Sequence, residues 1–305
     1  MHAQWDNLRK NLGNWYGSFN QYSPDGVRLK ATASQLTLVE DQPNQQMTLV
    51  LKRTPSGGIP NTMVRTFRYP GAAPHIYFFE TGAFSQGPLQ WQAFSQFGAE
   101  LALKDDDRRR RCVYMYAGHA DKTSRPAYIT LIQEQRGESA PENLPENLSE
   151  TALANLSGRW GGTAARVSSH QLAEDASQAP FIEHSHWQLI PSLTPPNTRP
   201  NIPSEASAEA PFTYQSQIGE IHHQTAVAHP QGRRLVCQTD STWQMILLPG
   251  ATFCILPQQI QPGRPFTLEV GWLTHTHRCQ RLIRCYSAQG EWTHLILTAE
   301  EKLDG

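Results

Sequence analysis

The sequence predicts an all-β protein made of two tandem antiparallel β-barrels, each preceded by a short helix. Three observations predict this class. A Gly-x-Trp motif occurs twice, half a chain apart, as Gly13 with Trp15 and as Gly158 with Trp160. Each copy precedes a long series of alternating polar and apolar residues, which is the pattern of half-buried strands. The length of 305 residues suffices for two domains of ordinary size.

The first half begins with a short helix within residues 4–12, where Trp5, Leu8 and Leu12 have helical spacing. About nine or ten short segments with the strand pattern follow, separated by turn residues such as Ser-Pro-Asp-Gly at 23–26. The predicted strands are 16–22, 34–40, 47–53, 63–69, 76–79, 83–85, 89–94, 97–103, 110–116 and 128–134. Such a series is typical of an antiparallel barrel, which we assign to residues 1–137.

The second half, residues 152–305, repeats this plan after a linker at 138–151. Two tandem Pro-Glu-Asn-Leu units in the linker interrupt strand pairing and bury little surface. A segment at 191–211 has six prolines and no apolar alternation, so we expect an exposed insertion there. The predicted strands are 185–191, 212–215, 221–223, 224–228, 234–238, 243–248, 251–256, 266–272, 281–286 and 292–298. Matching segments near the start, middle and end of the two halves indicate a duplication.

Composition excludes several functional classes. The net charge of −1 and the pI near 6.9 give no field that would attract nucleic acid or an anionic membrane. No apolar run is long enough to span a bilayer, and the N-terminus lacks the pattern of a secretory signal. Five cysteines, an odd number without a Cys-x-x-Cys motif, favour reduced thiols. We therefore expect a cytoplasmic monomer or homodimer without a nucleic-acid partner or membrane insertion.

Residues 12–19, Leu-Gly-Asn-Trp-Tyr-Gly-Ser-Phe, with the turn at 23–26 and the strand at 34–38, resemble the N-terminal signature of a known family. This family of cyanobacteria and plastid lineages is catalogued as domain of unknown function 3598 and consists of two tandem lipocalin-like (calycin) domains. The resemblance covers nearly the whole chain except the proline-rich insertion, and it implies two lipocalin-like barrels. The bilin lyases of phycobiliprotein assembly are also lipocalin-like, but the chain contains no match to a lyase catalytic motif.

In lipocalins the tryptophan of the Gly-x-Trp motif packs at the closed end of the barrel beneath an arginine of a late strand. The resemblance therefore implies that Arg109 or Arg111 covers Trp15, and that Arg281 or Arg284 covers Trp160. Stacking of arginine on indole is favourable by about 0.5–2 kcal/mol. We expect both tryptophans to have this structural role rather than to contact a ligand.

A lipocalin-like cup would present apolar walls with a few polar groups to one ligand. The candidate ligand-binding residues are the aromatic side chains carried by predicted strands, although these could equally fill the barrels. They are Trp91, Tyr116, Trp243, Trp272, Tyr286 and Trp292, with Phe84 and Phe253 as further candidates. The predicted function is binding of a small hydrophobic ligand, such as a pigment, a pigment precursor or a fatty acid. The alternatives are a lyase or isomerase acting on a tetrapyrrole or carotenoid-type ligand, and a non-catalytic assembly or interaction module.

No motif predicts a catalytic residue or a cofactor. His275, His277 and Cys279 alternate, so a strand would place three metal-type ligands on one face. They align, however, with the charged run at 105–111, where a hairpin connection is expected, so no metal site is predicted. The three acids and four bases of that run are expected to neutralise one another on a solvated hairpin.

Overall fold

The computed structural model describes residues 3–71, 75–137, 149–174, 178–192, 210–220, 222–237 and 243–303. Helix α1 (Ala3–Arg9) precedes a first sheet of nine strands. These strands are β1 (Gly13–Tyr22), β2 (Arg28–Gln42), β3 (Gln46–Pro55), β4 (Asn61–Arg68), β5 (Ile76–Phe78), β6 (Phe84–Gln86), β7 (Phe97–Asp105), β8 (Arg108–Gly118) and β9 (Ser124–Arg136).

Helix α2 (Ser149–Leu156) precedes a second barrel of ten strands, and helix α3 (Ser169–Glu174) follows its first strand. The strands are β10 (Gly158–Ser168), β11 (Phe181–Pro191), β12 (Phe212–Ile218), β13 (His222–Gln231), β14 (Arg234–Cys237), β15 (Trp243–Leu248), β16 (Thr252–Pro257), β17 (Phe266–His275), β18 (Arg278–Tyr286) and β19 (Trp292–Leu303). No helix in the described part of the chain is long and apolar enough to cross a membrane.

The two sheets share one antiparallel plan but differ in closure. The first sheet has the order β4-β3-β2-β1-β9-β8-β7-β6-β5, so it curls into an open barrel with β4 and β5 at its edges. The second barrel is closed, because β10 pairs with both β11 and β19. The prediction of an all-β fold with two tandem barrels and short preceding helices is confirmed.

Each Gly-x-Trp motif begins the first strand of its sheet. Gly13 and Gly158 have φ angles of 117° and 125°, which side chains rarely permit. The indole of Trp15 donates a hydrogen bond to the carbonyl of Asn11 (2.9 Å), and Trp160 donates to that of Leu156 (3.0 Å). Each buried tryptophan therefore joins the end of the preceding helical segment to its barrel.

The expected arginine partner is correct for the first motif and wrong for the second. The guanidinium carbon of Arg109 lies 4.2 Å from the ring centroid of Trp15. In the second barrel, Trp187 stacks on Trp160 with centroids 5.3 Å apart, and Arg281 lies over Trp187 at 5.3 Å. The second indole in the stack therefore separates Trp160 from the buried arginine.

The run at 105–111 forms a hairpin between β7 and β8, as expected, but most of its arginines are not solvated. Arg109, Arg110 and Arg111 are only 3%, 8% and 8% exposed. Alternation along β8 directs Arg109 and Arg111 to carboxylates of the first sheet, whereas Arg110 lies over Trp272 of the second barrel. Only Arg108 pairs with an acid of the run itself, Asp105. The expectation of local neutralisation is therefore wrong for the buried arginines.

The two sheets pack against each other through a shared apolar core. The largest apolar cluster of the described residues combines side chains of β7 and β8 with side chains of β16, β17 and β18. The hydroxyl groups of Tyr114 and Tyr116 donate hydrogen bonds across the interface to the carbonyls of Glu269 and Pro257. Backbone pairing of Ser124 with Ile260 adds an isolated antiparallel β-bridge between the two halves.

Two predicted segments fall mainly outside the described residues. Of the predicted linker at 138–151, residues 138–148 lie outside them, and α2 begins at Ser149. Of the predicted insertion at 191–211, residues 193–209 lie outside them. The domain boundaries at 137 and 152 stay predictions.

Candidate ligand-binding cavity

A buried arginine between two glutamates lies inside each sheet. In the first sheet, Arg111 bonds to Glu100 and to Glu134 (3.2 Å). In the second barrel, Arg281 bonds to Glu300 (2.7 Å) and Glu269 (3.2 Å). Both halves thus contain this ionic group, in which the carboxylates stabilise the arginine within a low-dielectric interior.

The two ionic groups differ in charge balance. In the first sheet, Arg109 also bonds to Glu134 (2.7 Å), so two arginines hold the pKa of this carboxyl below its usual value despite burial. In the second barrel, Cys279 stands opposite Glu300 on the neighbouring strand, at the position that Arg109 has opposite Glu134. A single arginine, Arg281, therefore pairs with both Glu269 and Glu300. Burial raises the pKa of Glu269.

The closed end and the middle of the second barrel are filled. The stacked Trp160 and Trp187 contact Tyr214 and Phe253 in one apolar cluster. Above them, Arg281 also donates to the hydroxyl of Ser216 (3.0 Å). These layers form a floor that separates the closed end from the barrel mouth.

The other end of the second barrel contains a cavity of about 440 Å³, which we call the C-terminal cavity. Its apolar wall includes Trp243, Ile255 and Ile296, and its polar wall includes His222 and Gln224. Further lining residues are His223, Pro257, Gln259, Ile260, Gln261, Arg264, Pro265, Phe266, Thr267, Cys285, Tyr286, Ser287, Thr293 and His294. Ligand pockets commonly have volumes of about 300–1,000 Å³, so a small organic molecule fits this cavity.

Three polar atoms in this wall are buried without a hydrogen-bond partner among the described residues. They are Nε2 of His222, Nε1 of Trp243 and Oε1 of Gln224. His222 is only 8% exposed and Trp243 only 5%. Because unpaired buried polar atoms are rare and costly in folded proteins, such a group next to a cavity indicates a site for a polar ligand atom.

Burial shifts the pKa of three titratable side chains in the wall. Burial, and then the charge of Arg281, lower the pKa of His222 to about 4. Burial and then Arg166 also lower the pKa of His294. Burial raises the pKa of the Cys285 thiol to about 12, so this cysteine is not an activated nucleophile.

The first sheet contains a small enclosed cavity and a more open groove of about 430 Å³, lined by residues such as Gln86, Glu100 and Met115. The enclosed cavity has a volume of about 80 Å³, between apolar side chains such as Leu36 and Phe67 and the pair Arg109 and Arg111. This volume is well below the usual range for ligand pockets. The enclosed cavities of the two halves therefore differ in size, and the one in the second barrel is the candidate site.

Comparison with known proteins identifies the family. Residues 1–139 match the family model described as domain of unknown function (DUF3598), N-terminal. The crystal structure of a DUF3598 family protein of unknown function from Nostoc punctiforme is 30% identical to this chain. The match covers 99% of this chain and 100% of the other, with a TM-score of 0.81. The chain belongs to the DUF3598 family.

Other comparisons are weaker or cover less of this DUF3598 protein. Residues 205–303 match the model described as biogenesis factor required for ATP synthase 1, C-terminal domain. An S-type phycobiliprotein lyase from Guillardia theta matches 51% of this chain and 93% of its own, at 12% identity. Its TM-score of 0.34 is too low to bear on function. Comparison with curated proteins gives no match.

The structure of this DUF3598 protein brings two of the six predicted ligand-binding aromatics to the C-terminal cavity. Trp243 forms part of its wall, and Tyr286 lies at its edge, stacked on Phe266 with centroids 4.6 Å apart. The hydroxyl of Tyr286 donates to the carbonyl of Pro88 (3.0 Å), so this ring also joins the two halves.

The other four predicted residues lie in the shared core between the sheets. Trp91 donates to the hydroxyl of Ser124 (3.0 Å), and Tyr116 bonds across the interface. Trp272 lies beneath Arg110, and Trp292 beneath Arg284. Each of these rings therefore has a packing role, and ligand contact by them stays a prediction. The further candidates Phe84 and Phe253 are buried in the first sheet and at the closed end of the second barrel.

Sequence reasoning missed the polar wall of the cavity. His222 and Gln224 are two positions apart on β13, so they share the inward face with Ala226 and Ala228. In the sequence, the alternating small residues Ala226 and Ala228 indicate that this face of β13 points into the barrel. The histidines at 275 and 277 lie at the β17–β18 hairpin, and no group of three metal-type ligands occurs among the described residues.

Proposed function

We propose that this protein binds one small, largely hydrophobic molecule in the C-terminal cavity. The observation that carries the proposal is the combination of a cavity of about 440 Å³ with three unpartnered buried polar atoms in its wall. Apolar walls supply affinity, and a few fixed polar atoms orient the ligand. One ligand per chain is expected in this cavity.

The volume of the C-terminal cavity limits the ligand classes. It lies near the lower end of the usual range for ligand pockets. A single acyl chain or a compact ring system fits inside. A larger pigment, such as an open-chain tetrapyrrole or a carotenoid, would extend through the mouth.

Binding is better supported than catalysis. General acid–base or nucleophilic catalysis needs a group whose pKa is close to the working pH or a nucleophile activated by a base. Burial moves the pKa of both His222 and Cys285 away from neutrality, in the directions that keep these side chains uncharged. A lyase or isomerase activity is therefore the less favoured proposal for this cavity.

Titration of the purified protein with an environment-sensitive fluorescent fatty acid, with retinol and with biliverdin tests the proposal. Thr267 lines the cavity, so Thr267→Trp is expected to weaken binding at least tenfold by filling it. Thr225 is exposed on β13 of the same barrel, and Thr225→Trp is the matched control. Absence of binding by any probe, or equal affinity of the two variants, contradicts the proposal.

A role in the assembly of a protein complex is the second candidate. It is favoured by the match of residues 205–303 to the C-terminal domain of an ATP synthase biogenesis factor. Exposed apolar side chains near the open edge of the first sheet, among them Ile59, Met63 and Val64, offer a contact surface. Co-elution with isolated ATP synthase head subunits in size-exclusion chromatography would support this role, and separate elution would argue against it.

A further inference from the structure

The unpartnered atoms of the C-terminal cavity specify what a ligand must offer. The indole Nε1 of Trp243 can only donate a hydrogen bond, whereas Oε1 of Gln224 can only accept one. The neutral imidazole of His222 can do either at Nε2, according to its tautomer. A ligand group that satisfies this wall must therefore both accept and donate hydrogen bonds.

The three atoms belong to residues that line the same cavity. His222 and Gln224 are two residues apart on one face of β13, which corresponds to about 7 Å along the strand. The rings of His222 and Trp243 are both more than nine-tenths buried, so water does not freely reach their nitrogens. The ring of Trp243 packs edge-on against Tyr214 with centroids 5.2 Å apart, which fixes the direction of its N–H.

Among the described residues, the buried part of this wall carries no charged side chain. The two cations that lower the pKa values of His222 and His294 each have carboxylate partners: Arg281 is bonded to Glu300 and Glu269, and Arg166 is bonded to Glu183. Arg264 is the charged residue among the described lining, and it is exposed at the rim with an interaction of its own. A carboxylate at the buried wall would lose its hydration without gaining a counter-charge, which is strongly unfavourable.

Resting on the proposed binding function, we infer that the buried end of the ligand is an uncharged amide-type group, such as a primary amide or a lactam, attached to an apolar body. Its carbonyl accepts from Trp243, and its N–H donates to Gln224. The cavity thereby discriminates against a free fatty acid of the same length, which is anionic at neutral pH.

Three probes with the same alkyl chain test this inference at pH 7.5, by competition with a bound fluorescent probe. Dodecanamide offers a donor and an acceptor, methyl dodecanoate offers only acceptors, and dodecanoate is an anion. We expect dodecanamide to bind at least tenfold more tightly than dodecanoate, with the ester between them. If dodecanoate binds as tightly as the amide or more tightly, the inference fails while the binding function stands. If none of the three binds and the other fluorescent, retinoid and bilin probes fail as well, the binding function itself fails.

Two variants assign the discrimination to particular atoms. Trp243→Phe keeps an aromatic ring but removes the donor, so dodecanamide should bind about three- to tenfold more weakly while dodecanoate changes little. Gln224→Leu removes the acceptor and should bring the affinities of amide and ester together. Gln217→Leu, on the outer face of β12, is the matched control and should change nothing. Equal weakening of all three probes by Trp243→Phe, with no convergence in Gln224→Leu, overturns the assignment.

Discussion

Arg111 and Arg281 occupy equivalent places in the two halves of the molecule, each bonded to two buried glutamates. Glu134 stands opposite Gly17 and Glu300 stands opposite Gly162, so the registers of the first and last strands also agree. The two halves therefore share an interior ionic group as well as the Gly-x-Trp motif. The group is complete in the closed barrel and in the open one, so it does not depend on barrel closure.

Replacement of Arg281 by methionine is expected to destabilise the protein by about 3–5 kcal/mol, because it leaves Glu269 and Glu300 buried without a counter-charge. Urea unfolding followed by circular dichroism measures this loss. The control is Arg278→Met on the same strand, since the pair of Arg278 with Glu301 is exposed and is worth about 0–1 kcal/mol. Similar losses for the two variants would show that the buried group does not contribute as the structure implies.

Replacement of Gly162 by alanine is expected to be strongly destabilising, by more than about 3 kcal/mol. A Cβ atom there would lie 2.1 Å from the carbonyl oxygen of Ala299, and the backbone of β19 cannot move away without breaking the barrel. The adjacent Gly161→Ala is the matched control, because its Cβ would meet side-chain atoms of His186 and Leu303 at 3.1 Å or more. Thermal unfolding of the two variants compares them, and equal melting temperatures would contradict the prediction.

The two halves are expected to unfold in one transition, because their largest apolar cluster is shared. Tyr116→Phe removes the bond to the carbonyl of Pro257 (2.9 Å) and should lower the free energy of unfolding by about 1–2 kcal/mol without separating the halves. Tyr69→Phe, at an exposed ring, is the control. Tryptophan fluorescence and circular dichroism should give coincident urea curves, and two separate midpoints would show independent domains.

The fold was predictable from the sequence because its signals are local. Gly13 and Gly158 require positive φ angles, and the strand pattern follows each of them directly. The interior of the site was not predictable to the same extent. Alternation assigns Trp272 and Trp243 to strand faces, but it does not tell which face meets the other sheet and which faces the barrel lumen. Trp272 packs between the sheets, whereas Trp243 lines the cavity, and this difference depends on how the two halves dock.

The buried arginines illustrate the same limit. In the sequence, Arg109 and Arg111 follow three aspartates, so neutralisation within the hairpin was the simplest expectation. Their actual partners, Glu100 and Glu134, come from neighbouring strands and are brought close only by strand pairing. A long-range pairing of this kind cannot be read from the local charge pattern.

His222 is expected to make the stability of the protein depend on pH between about 6.5 and 4. Burial and Arg281 lower the pKa of His222 from its ordinary value of 6.5 to about 4, so in this interval the unfolded chain binds a proton that the folded protein does not. The contribution of the neutral side chain to stability is therefore complete above about pH 6.5 and is lost as the pH falls towards 4.

His222→Gln removes this titration and should flatten the pH dependence of the urea midpoint between pH 7.5 and 4.5. The exposed neighbour provides the control, since His223→Gln should retain the slope of the parent protein. The parent protein and His222→Gln differ in no other titrating group, so the difference between their slopes isolates His222. A slope that is the same in His222→Gln and in the parent protein would show that His222 is not held neutral in the folded barrel.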